Sequence, residues 1–154
     1  MKYAWIIETP IGHLTILVDE KYLLKISFGK VYSDAIIKQT DLIKKTEKEI
    51  TEYFNSKRTE FTIPINPIGT EFQKQVWNEL MEIPYGTTIS YKELAIKVKN
   101  QKYSRAVGMA NNRNPIPIII PCHRVVGAKG ALVGYRGGLE IKEKLISLEQ
   151  IINK

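Results

Sequence analysis

The stretch Pro115-Ile116-Pro117-Ile118-Ile119-Ile120-Pro121-Cys122-His123-Arg124 decides how the second half of this chain folds. Its three prolines forbid a regular helix and most sheet pairing, because proline lacks a backbone N–H group. Its isoleucines favour burial. We therefore predict an extended, rigid and buried connector that delivers Cys122, the only cysteine in 154 residues, to a fixed place.

The single cysteine narrows the possible chemistry. Without a second cysteine there is no internal disulfide, no CxxC redox motif and no cysteine-pair zinc site. A lone cysteine after an apolar run is more often a small buried hydrophobe than a nucleophile. His123 and Arg124 favour the second interpretation, because a neighbouring base or cation raises the thiolate fraction. Both interpretations remain open at this point.

Downstream of the cysteine, a loop punctuated by glycines (127–138) leads into a final helix, predicted from Leu139. The predicted buried side chains of this helix are Ile141, Leu145, Leu148 and Ile152. Glu149 lies at the edge of that stripe. It could orient the His123 imidazole as the third member of a relay, or be an ordinary acid on the helix surface.

Upstream of the connector, two short helices are predicted around a polar turn. Ser90-Tyr91-Lys92-Glu93 matches the capping box S-x-x-E and predicts a helix from Tyr91 to about Val98. The next helix has Ser104 as its predicted cap and ends before Asn114-Pro115. Such a pair resembles a helix-turn-helix, although helix pairs are commoner as plain packing units. An earlier amphipathic helix is predicted after Thr70 as N-cap.

The first part of the chain predicts strands followed by one helix. Pro10-Ile11-Gly12 is a turn signal, and strand-like alternation follows it. Residues 41–55 have helical periodicity, with Ile50 and Phe54 predicted to pack on the sheet. Residues 60–69, with two prolines, are predicted to be a linker. The fold class is therefore α+β, with a small N-terminal antiparallel sheet and helix (1–63) and a mostly helical C-terminal domain (64–154).

Composition and charge restrict the class of protein. Hydrophobic residues make up 44% and charged residues 25%, which excludes wholesale disorder, and no apolar run is long enough to span a membrane. No signal peptide is evident, so we expect a cytoplasmic protein that is not secreted. The net charge of the whole chain is +7, and the segment from Tyr91 to Arg136, with nine basic residues and one acid, has a net charge of +8. This concentration favours a polyanion partner; a solvated lysine-rich surface is an equally good explanation.

Five motifs in order carry a specific resemblance. Ile120-Pro121-Cys122-His123-Arg124-Val125-Val126 resembles the active-site signature of the O6-alkylguanine-DNA alkyltransferases, also called methylated-DNA–protein-cysteine S-methyltransferases. The other four motifs, in the family's order and approximate spacing, are Ile83-Pro84-Tyr85-Gly86-Thr87-Thr88 with Ser90-Tyr91, Arg105-Ala106-Val107-Gly108, Asn114-Pro115 and Gly134-Tyr135-Arg136-Gly137-Gly138. The resemblance covers residues 65–152 closely and the first part mainly in pattern.

The resemblance implies a fold and a function. The first domain would be ribonuclease-H-like, and the second would bind double-stranded DNA in the minor groove through its helix-turn-helix. An O6-alkylguanine would be flipped out of the duplex and its alkyl group transferred irreversibly to a cysteine, a DNA repair by direct reversal. Since a thioether has no activated leaving group, each molecule would act once. The resemblance also implies a monomer that needs no cofactor or metal.

The resemblance also assigns roles within the reaction. Cys122 would be the nucleophile and alkyl acceptor, His123 its base through a water molecule, and Glu149 the group that orients His123. Tyr91 would contact guanine N3 and the rotated phosphate. Asn114 would be the hinge that links the recognition helix to the cysteine segment.

Further residues are matched to DNA and to the base pocket. Arg105 would fill the space left by the flipped base, and Ala106 and Gly108, with Ala110, would allow close groove approach. Tight packing between helices requires the same small residues and is the alternative explanation for them. The carbonyls of Cys122 and Val125 would accept from the guanine amine. Tyr135 and Arg136 would form the other wall of the pocket.

Two other classes of function remain as rivals. One is a non-reactive DNA-binding module that senses alkylated bases, although relatives of that kind lack the cysteine that Cys122 provides here. The other is a thiol hydrolase, which usually brings its histidine from a distant segment and needs an oxyanion hole. A turnover assay separates hydrolysis, which cycles, from alkyl transfer, which does not.

Overall fold

The computed structural model describes residues 1–152, with side chains described as far as Gln150. The chain divides into two compact units between Ile68 and Gly69, rather than between residues 63 and 64 as predicted. The α+β class is confirmed. Within the described residues, no helix is long and apolar enough to cross a membrane.

The first unit is a four-stranded sheet with one helix. Its elements are β1 (Tyr3–Thr9), β2 (Gly12–Val18), β3 (Leu23–Phe28), β4 (Ile36–Ile37) and α1 (Asp41–Phe54). The strand order is β3-β2-β1-β4, and the first three strands form the predicted antiparallel meander. The two-residue edge strand β4 pairs parallel to β1, so the sheet is mixed rather than purely antiparallel. The predicted turn is a tight hairpin in which Gly12 takes φ +100°, a conformation that favours glycine.

Helix α1 packs through one face, as predicted, but with a different aromatic residue. Thr40 caps it by accepting from the Ile43 N–H. Ile43, Ile50 and Tyr53 are fully buried, whereas Phe54 is only half-buried. The expectation for Phe54 was wrong because the residue three positions after Ile50 lies on the same helix face as the residue four positions after it. Tyr53 therefore takes the buried position instead of Phe54.

The segment predicted as a linker belongs in part to the first unit. The Leu23 N–H donates to the Pro64 carbonyl at 2.9 Å, and the Asn66 N–H donates to the Leu23 carbonyl at 2.9 Å. These bonds place Ile65 in a parallel bridge with Leu23. Proline can lie at a sheet edge because its carbonyl still accepts, which is why the two prolines did not exclude this pairing.

The second unit is mostly helical. Its elements are α2 (Glu71–Met81), β5 (Ile89–Ser90), α3 (Tyr91–Val98), α4 (Ser104–Asn112), β6 (Val125–Val126) and α5 (Leu139–Ile152), with 3-10 turns at Gln101–Tyr103, Cys122–Arg124 and Ala128–Gly130. Both predicted caps of α2 and α3, Thr70 and Ser90, form complete capping boxes. The predicted cap of α4 was wrong: Ser104 is its first residue, and Asn100 instead caps the 3-10 turn before it.

The parallel pair β5–β6 joins two distant parts of the sequence. Ile89 pairs with Val125 and Ser90 with Val126. Because Ser90 is also the N-cap of α3, the first residue of that helix, Tyr91, is held next to the segment that follows Cys122. No local pattern predicted this pairing, since it links residues far apart in the chain.

The proline-rich connector is buried but not extended. The Ile120 N–H donates to the Ile116 carbonyl at 2.9 Å, which closes a compact turn. Ile118 lies within it at φ +74° while almost fully buried. A β-branched residue in this left-handed region costs roughly 1–3 kcal/mol and persists only where its surroundings enforce it. Here the burial of the isoleucines offsets the strain. The predicted burial of the connector is confirmed, but the prediction that it is extended was wrong.

The last helix, α5, buries Leu145 as predicted, but the other residues of its buried face differ from the prediction. Lys142, Leu145 and Glu149 are buried, whereas Ile141 and Leu148 are half-buried. The side chain of Ile152 lies outside the described residues. Since two of the three buried residues are charged, apolar periodicity could not identify this face.

Candidate active site

Cys122 opens the 3-10 turn Cys122–Arg124 and is 5% exposed. Burial raises the pKa of its thiol above 9.0, while hydrogen bonds from Asn114 and Tyr135 and the positive charge of Lys142 act in the opposite direction. The thiol is therefore neutral at rest. The expectation that adjacent His123 and Arg124 would favour the thiolate at rest does not hold, because burial raises the thiol pKa more than its neighbours lower it.

His123 is fully buried and bonded to Glu149. The distance between His123 Nε2 and Glu149 Oε2 is 2.5 Å. Burial lowers the pKa of His123, and the Glu149 carboxylate opposes that shift. Among the described residues, His123 Nδ1 has no hydrogen-bond partner. A neutral imidazole that donates from Nε2 leaves Nδ1 as a proton acceptor.

Glu149 is a buried carboxylate rather than the surface acid that remained an alternative. Arg124 donates to it from Nε at 2.8 Å and from Nη2 at 3.2 Å. Burial alone would raise the pKa of Glu149, yet the hydrogen bonds and positive charges of His123 and Arg124 lower it to about 2. The remaining guanidinium nitrogen, Nη1, donates to the Ile83 carbonyl at 2.7 Å. This bidentate pair fixes the carboxylate on which His123 depends.

Lys142 is a buried cation that sequence reasoning missed. Its side chain is completely buried, and Nζ donates to the Val133 carbonyl at 2.9 Å. The ammonium lies 5.7 Å from the centre of the Tyr91 ring and 6.0 Å from that of Tyr135. Burial lowers the pKa of Lys142, and the charge of Cys122 acts in the opposite direction. One lysine among many in a basic chain carries no signal of burial.

Asn114 holds the start of the connector through two side-chain hydrogen bonds. Its Nδ2 donates to the Ile120 carbonyl at 2.7 Å, and its Oδ1 accepts from the Ile116 N–H at 2.9 Å. Both of its polar groups are therefore satisfied inside the turn. Val125 follows the reactive turn and is fully buried in β6.

An open cavity of about 500 Å³ lies on the outer side of α4. Its lining residues are Tyr91, Ser104, Arg105, Gly108, Met109, Asn112, Val133 and Gly134. Tyr91 is half-buried there and donates from its hydroxyl to the Val133 carbonyl at 3.2 Å. The cavity therefore brings together three residues predicted from the sequence: Tyr91, Arg105 and Gly108.

The remaining residues predicted to contact DNA or the base differ in how far they are exposed to solvent. Arg105 and Ala106 are exposed on α4 and Gly108 is half-buried, but Ala110 is buried and its carbonyl accepts from Trp77 Nε1 at 2.9 Å. Ala110 thus belongs to helix packing and not to the small exposed face. Tyr135 reaches the Cys122 thiol, whereas Arg136 is exposed on the same loop.

No group of three or more His, Cys, Asp or Glu side chains within residues 1–152 is arranged to hold a metal ion. The chemistry that this arrangement can perform is a proton transfer from a buried thiol toward a neutral histidine. The product is a thiolate at Cys122.

Comparison with known proteins agrees with this arrangement. Residues 1–67 match the family model described as 6-O-methylguanine DNA methyltransferase, ribonuclease-like domain, and residues 71–151 match that described as 6-O-methylguanine DNA methyltransferase, DNA binding domain. Together the two models span almost the whole chain.

Full-length relatives and solved structures match as well. A methylated-DNA–protein-cysteine methyltransferase of Methanosarcina acetivorans is 47% identical over 97% of this chain and 98% of its own. The constitutive enzyme of that name from Bacillus subtilis is 37% identical over 100% of this chain and 99% of its own. The crystal structure of Mycobacterium tuberculosis OGT in complex with DNA has a TM-score of 0.90 at 37% identity, covering 97% of this chain and 93% of that one.

The chain therefore belongs to the 6-O-methylguanine DNA methyltransferase family, whose members repair DNA by alkyl transfer to a cysteine. The resemblance seen in the five sequence motifs is confirmed, and so is the ribonuclease-like character of the first domain.

Proposed function

We propose that this chain binds double-stranded DNA as a monomer, flips an O6-alkylguanine out of the duplex, and takes its alkyl group on Cys122 once per molecule. The observation that carries the proposal is the buried series of side chains Cys122, His123 and Glu149. Cys122 is followed directly by His123, whose Nδ1 has no partner among the described residues and whose Nε2 lies 2.5 Å from a carboxylate oxygen of Glu149.

The proton leaves the thiol before the alkyl group arrives. His123 Nδ1 accepts the Cys122 proton through a water molecule, and the ionised Glu149 stabilises the imidazolium that forms. Glu149 is suited to this role because its pKa of about 2 keeps it charged at neutral pH. Arg124 holds the carboxylate in place and prevents it from turning away from the ring.

The transfer itself exchanges one bond for another. The Cys122 thiolate sulfur forms a bond to the alkyl carbon, the bond between that carbon and guanine O6 breaks, and its electron pair stays on the guanine. Donation by the Tyr91 hydroxyl to guanine N3 stabilises the developing charge. The thioether product has no activated leaving group, so the protein is consumed.

The DNA interface follows from the exposed side of α3 and α4. Arg105 is exposed and lines the cavity with Tyr91, where it can occupy the gap in the duplex, since flipping a base costs about a few kcal/mol. Ala106 and Gly108 allow the helix backbone to approach a narrow groove. Tyr135 and Arg136 form the opposite wall of the base pocket. A protein acting on chromosomal DNA in this way works in the cytoplasm, at the nucleoid.

The test is intact-mass measurement after incubation with a duplex that carries O6-methylguanine. Wild-type protein should gain one methyl group per chain at Cys122, and product should stop at one equivalent. Cys122→Ser should keep DNA binding and gain no mass. Product formation beyond one equivalent would instead favour a hydrolase, and DNA binding without any mass gain in the wild type would favour a non-reactive sensor.

A further inference from the structure

Met109 occupies the middle of the exposed face of α4, and its side chain is 55% exposed. Residues three and four positions apart are neighbours on a helix surface. The four such neighbours of Met109 are the other exposed residues between positions 104 and 113, namely Arg105, Ala106, Asn112 and Arg113. The face that the proposed function places in the minor groove therefore has a long apolar side chain at its centre.

Packing within the protein does not account for this side chain. The buried residues of α4 are Val107, Ala110 and Asn111, which lie on the other side of the helix. Single exposed apolar side chains are common on protein surfaces and by themselves indicate nothing. Met109, however, lines the same open cavity as Tyr91 and Arg105. It therefore lies beside the two residues that the proposed function assigns to the flipped base and to the gap left in the duplex.

The charge of the same face favours DNA as the group that covers Met109. Residues 104–113 contain two arginines and no acidic residue. Arg105 lies one turn before Met109 and Arg113 one turn after it, and both are exposed. A polyanion matches this arrangement, with the apolar side chain facing the base edges between its phosphates.

The spacing between Met109 and Arg105 sets the part of the DNA that the methionine would meet. In the proposed function, Arg105 occupies the gap left by the flipped base. Met109 lies one helical turn further along α4, where the Cβ atoms are about 5–6 Å apart. Successive base pairs are about 3.4 Å apart along the duplex. The thioether therefore falls on the minor-groove edge of the first or second base pair beside the gap.

The chemistry of methionine limits what it can recognise there. Its side chain is unbranched, flexible and apolar. In the minor groove, every base pair presents acceptors, whereas a G·C pair adds the 2-amino group of guanine as a donor. An apolar group that covers this donor leaves it without a hydrogen bond, which is unfavourable. An A·T pair has no such group to lose.

We propose that Met109 contacts the minor-groove edge of the base pair beside the lesion and selects against a 2-amino group at that edge. The proposal rests on the proposed function and goes beyond it, since it assigns a preference for the flanking sequence to one side chain. Met109 takes no part in alkyl transfer. It changes how readily a lesion in a given sequence is bound and flipped.

The test varies the 2-amino group of the flanking pairs while the lesion stays the same. Duplexes carry O6-methylguanine, and the two pairs on each side contain guanine or hypoxanthine opposite cytosine, or 2,6-diaminopurine or adenine opposite thymine. Single-turnover methyl transfer at subsaturating protein is measured by intact mass. In both comparisons the wild type should react about fivefold more slowly with the duplex whose flanking purines carry the amino group.

Two variants and a matched control assign that ratio to Met109. In Met109→Ala the ratio should fall below about twofold, because the amino group stays hydrated. In Met109→Gln, which has a similar length, the amide oxygen can accept from the amino group, so the preference should vanish or reverse. Met81→Ala, at a 46% exposed position on α2, should keep the wild-type ratio. Neither alanine variant should change the thermal midpoint appreciably, since both positions are exposed.

The outcomes distinguish this proposal from the function on which it rests. A wild type that reacts equally with all flanking pairs, or a fivefold ratio that persists in Met109→Ala, would overturn the role of Met109 and leave alkyl transfer in place. Absence of transfer from any duplex in the wild type would overturn the proposed function itself.

Discussion

His123 Nε2 lies 2.5 Å from Glu149 Oε2, and both side chains are almost completely buried. The two residues come from the reactive turn and from the last helix, 26 positions apart. Arg124 shares the same carboxylate, so one acid anchors both residues that follow the cysteine.

Glu149→Gln should destabilise the fold by about 3–5 kcal/mol and abolish alkyl transfer. The change leaves the Arg124 cation buried without its counter-charge and removes the group that stabilises protonated His123. Urea denaturation measures the first effect and intact mass the second. Glu140→Gln, at an exposed position on the same helix, is the matched control and should change neither. A Glu149→Gln protein as stable as the wild type would contradict the cluster as described.

Stability should fall in two steps as the pH is lowered. Burial lowers the pKa of His123, so below about 6.5 the unfolded chain binds a proton that the folded chain does not, and stability begins to decrease. Glu149 has a folded pKa of about 2 against 4.5 unfolded, so its contribution, about 3 kcal/mol, is complete above pH 4.5 and is lost as the pH falls toward 2. Denaturation curves at pH 7, 5.5, 4 and 3 measure both steps. The lower step should be missing in Glu149→Gln.

Lys142→Met should slow the reaction of Cys122 with iodoacetamide by about 3–10-fold at pH 8 and move its pH profile upward. The positive charge of Lys142 lowers the pKa of the buried thiol, so its removal favours the neutral form. Stability should not decrease, because methionine fills the same space without a buried charge. Lys144→Met, exposed on the same helix, should leave the profile unchanged. A profile that moves downward would show that another group controls the thiol.

Gly108→Ala should stabilise the fold by about 1 kcal/mol yet weaken DNA binding roughly fivefold or more. A methyl group there meets the Tyr91 ring at 3.5 Å, an ordinary contact, and alanine favours a helix over glycine. The same methyl adds bulk to the face proposed to enter the groove. Thermal melting and DNA titration at fixed salt measure the two effects. Ala106→Gly, the reverse change on that face, should lose stability and retain affinity, and unchanged affinity in Gly108→Ala would assign glycine to packing alone.

Local patterns in the sequence were sufficient to predict most of the helices and the first hairpin. The capping boxes of α2 and α3, the hairpin at Gly12 and the start of α5 at Leu139 each depend on residues within one turn of each other, so short patterns predicted them. The cysteine, its histidine and the motifs around them also lie in short runs, which is why the family could be recognised.

Other features depend on contacts between distant segments. The compact turn around Ile118, the pairing of β5 with β6, and the burial of Lys142 and Asn111 follow from packing that no local pattern encodes. The expectation that His123 and Arg124 would favour the Cys122 thiolate did not hold for the same reason, because burial of the thiol depends on the whole fold. The sequence by itself determined the identity of the nucleophile and the order of the helices. Only the tertiary structure decided the charge state of the site, because burial and partners across the fold set each pKa.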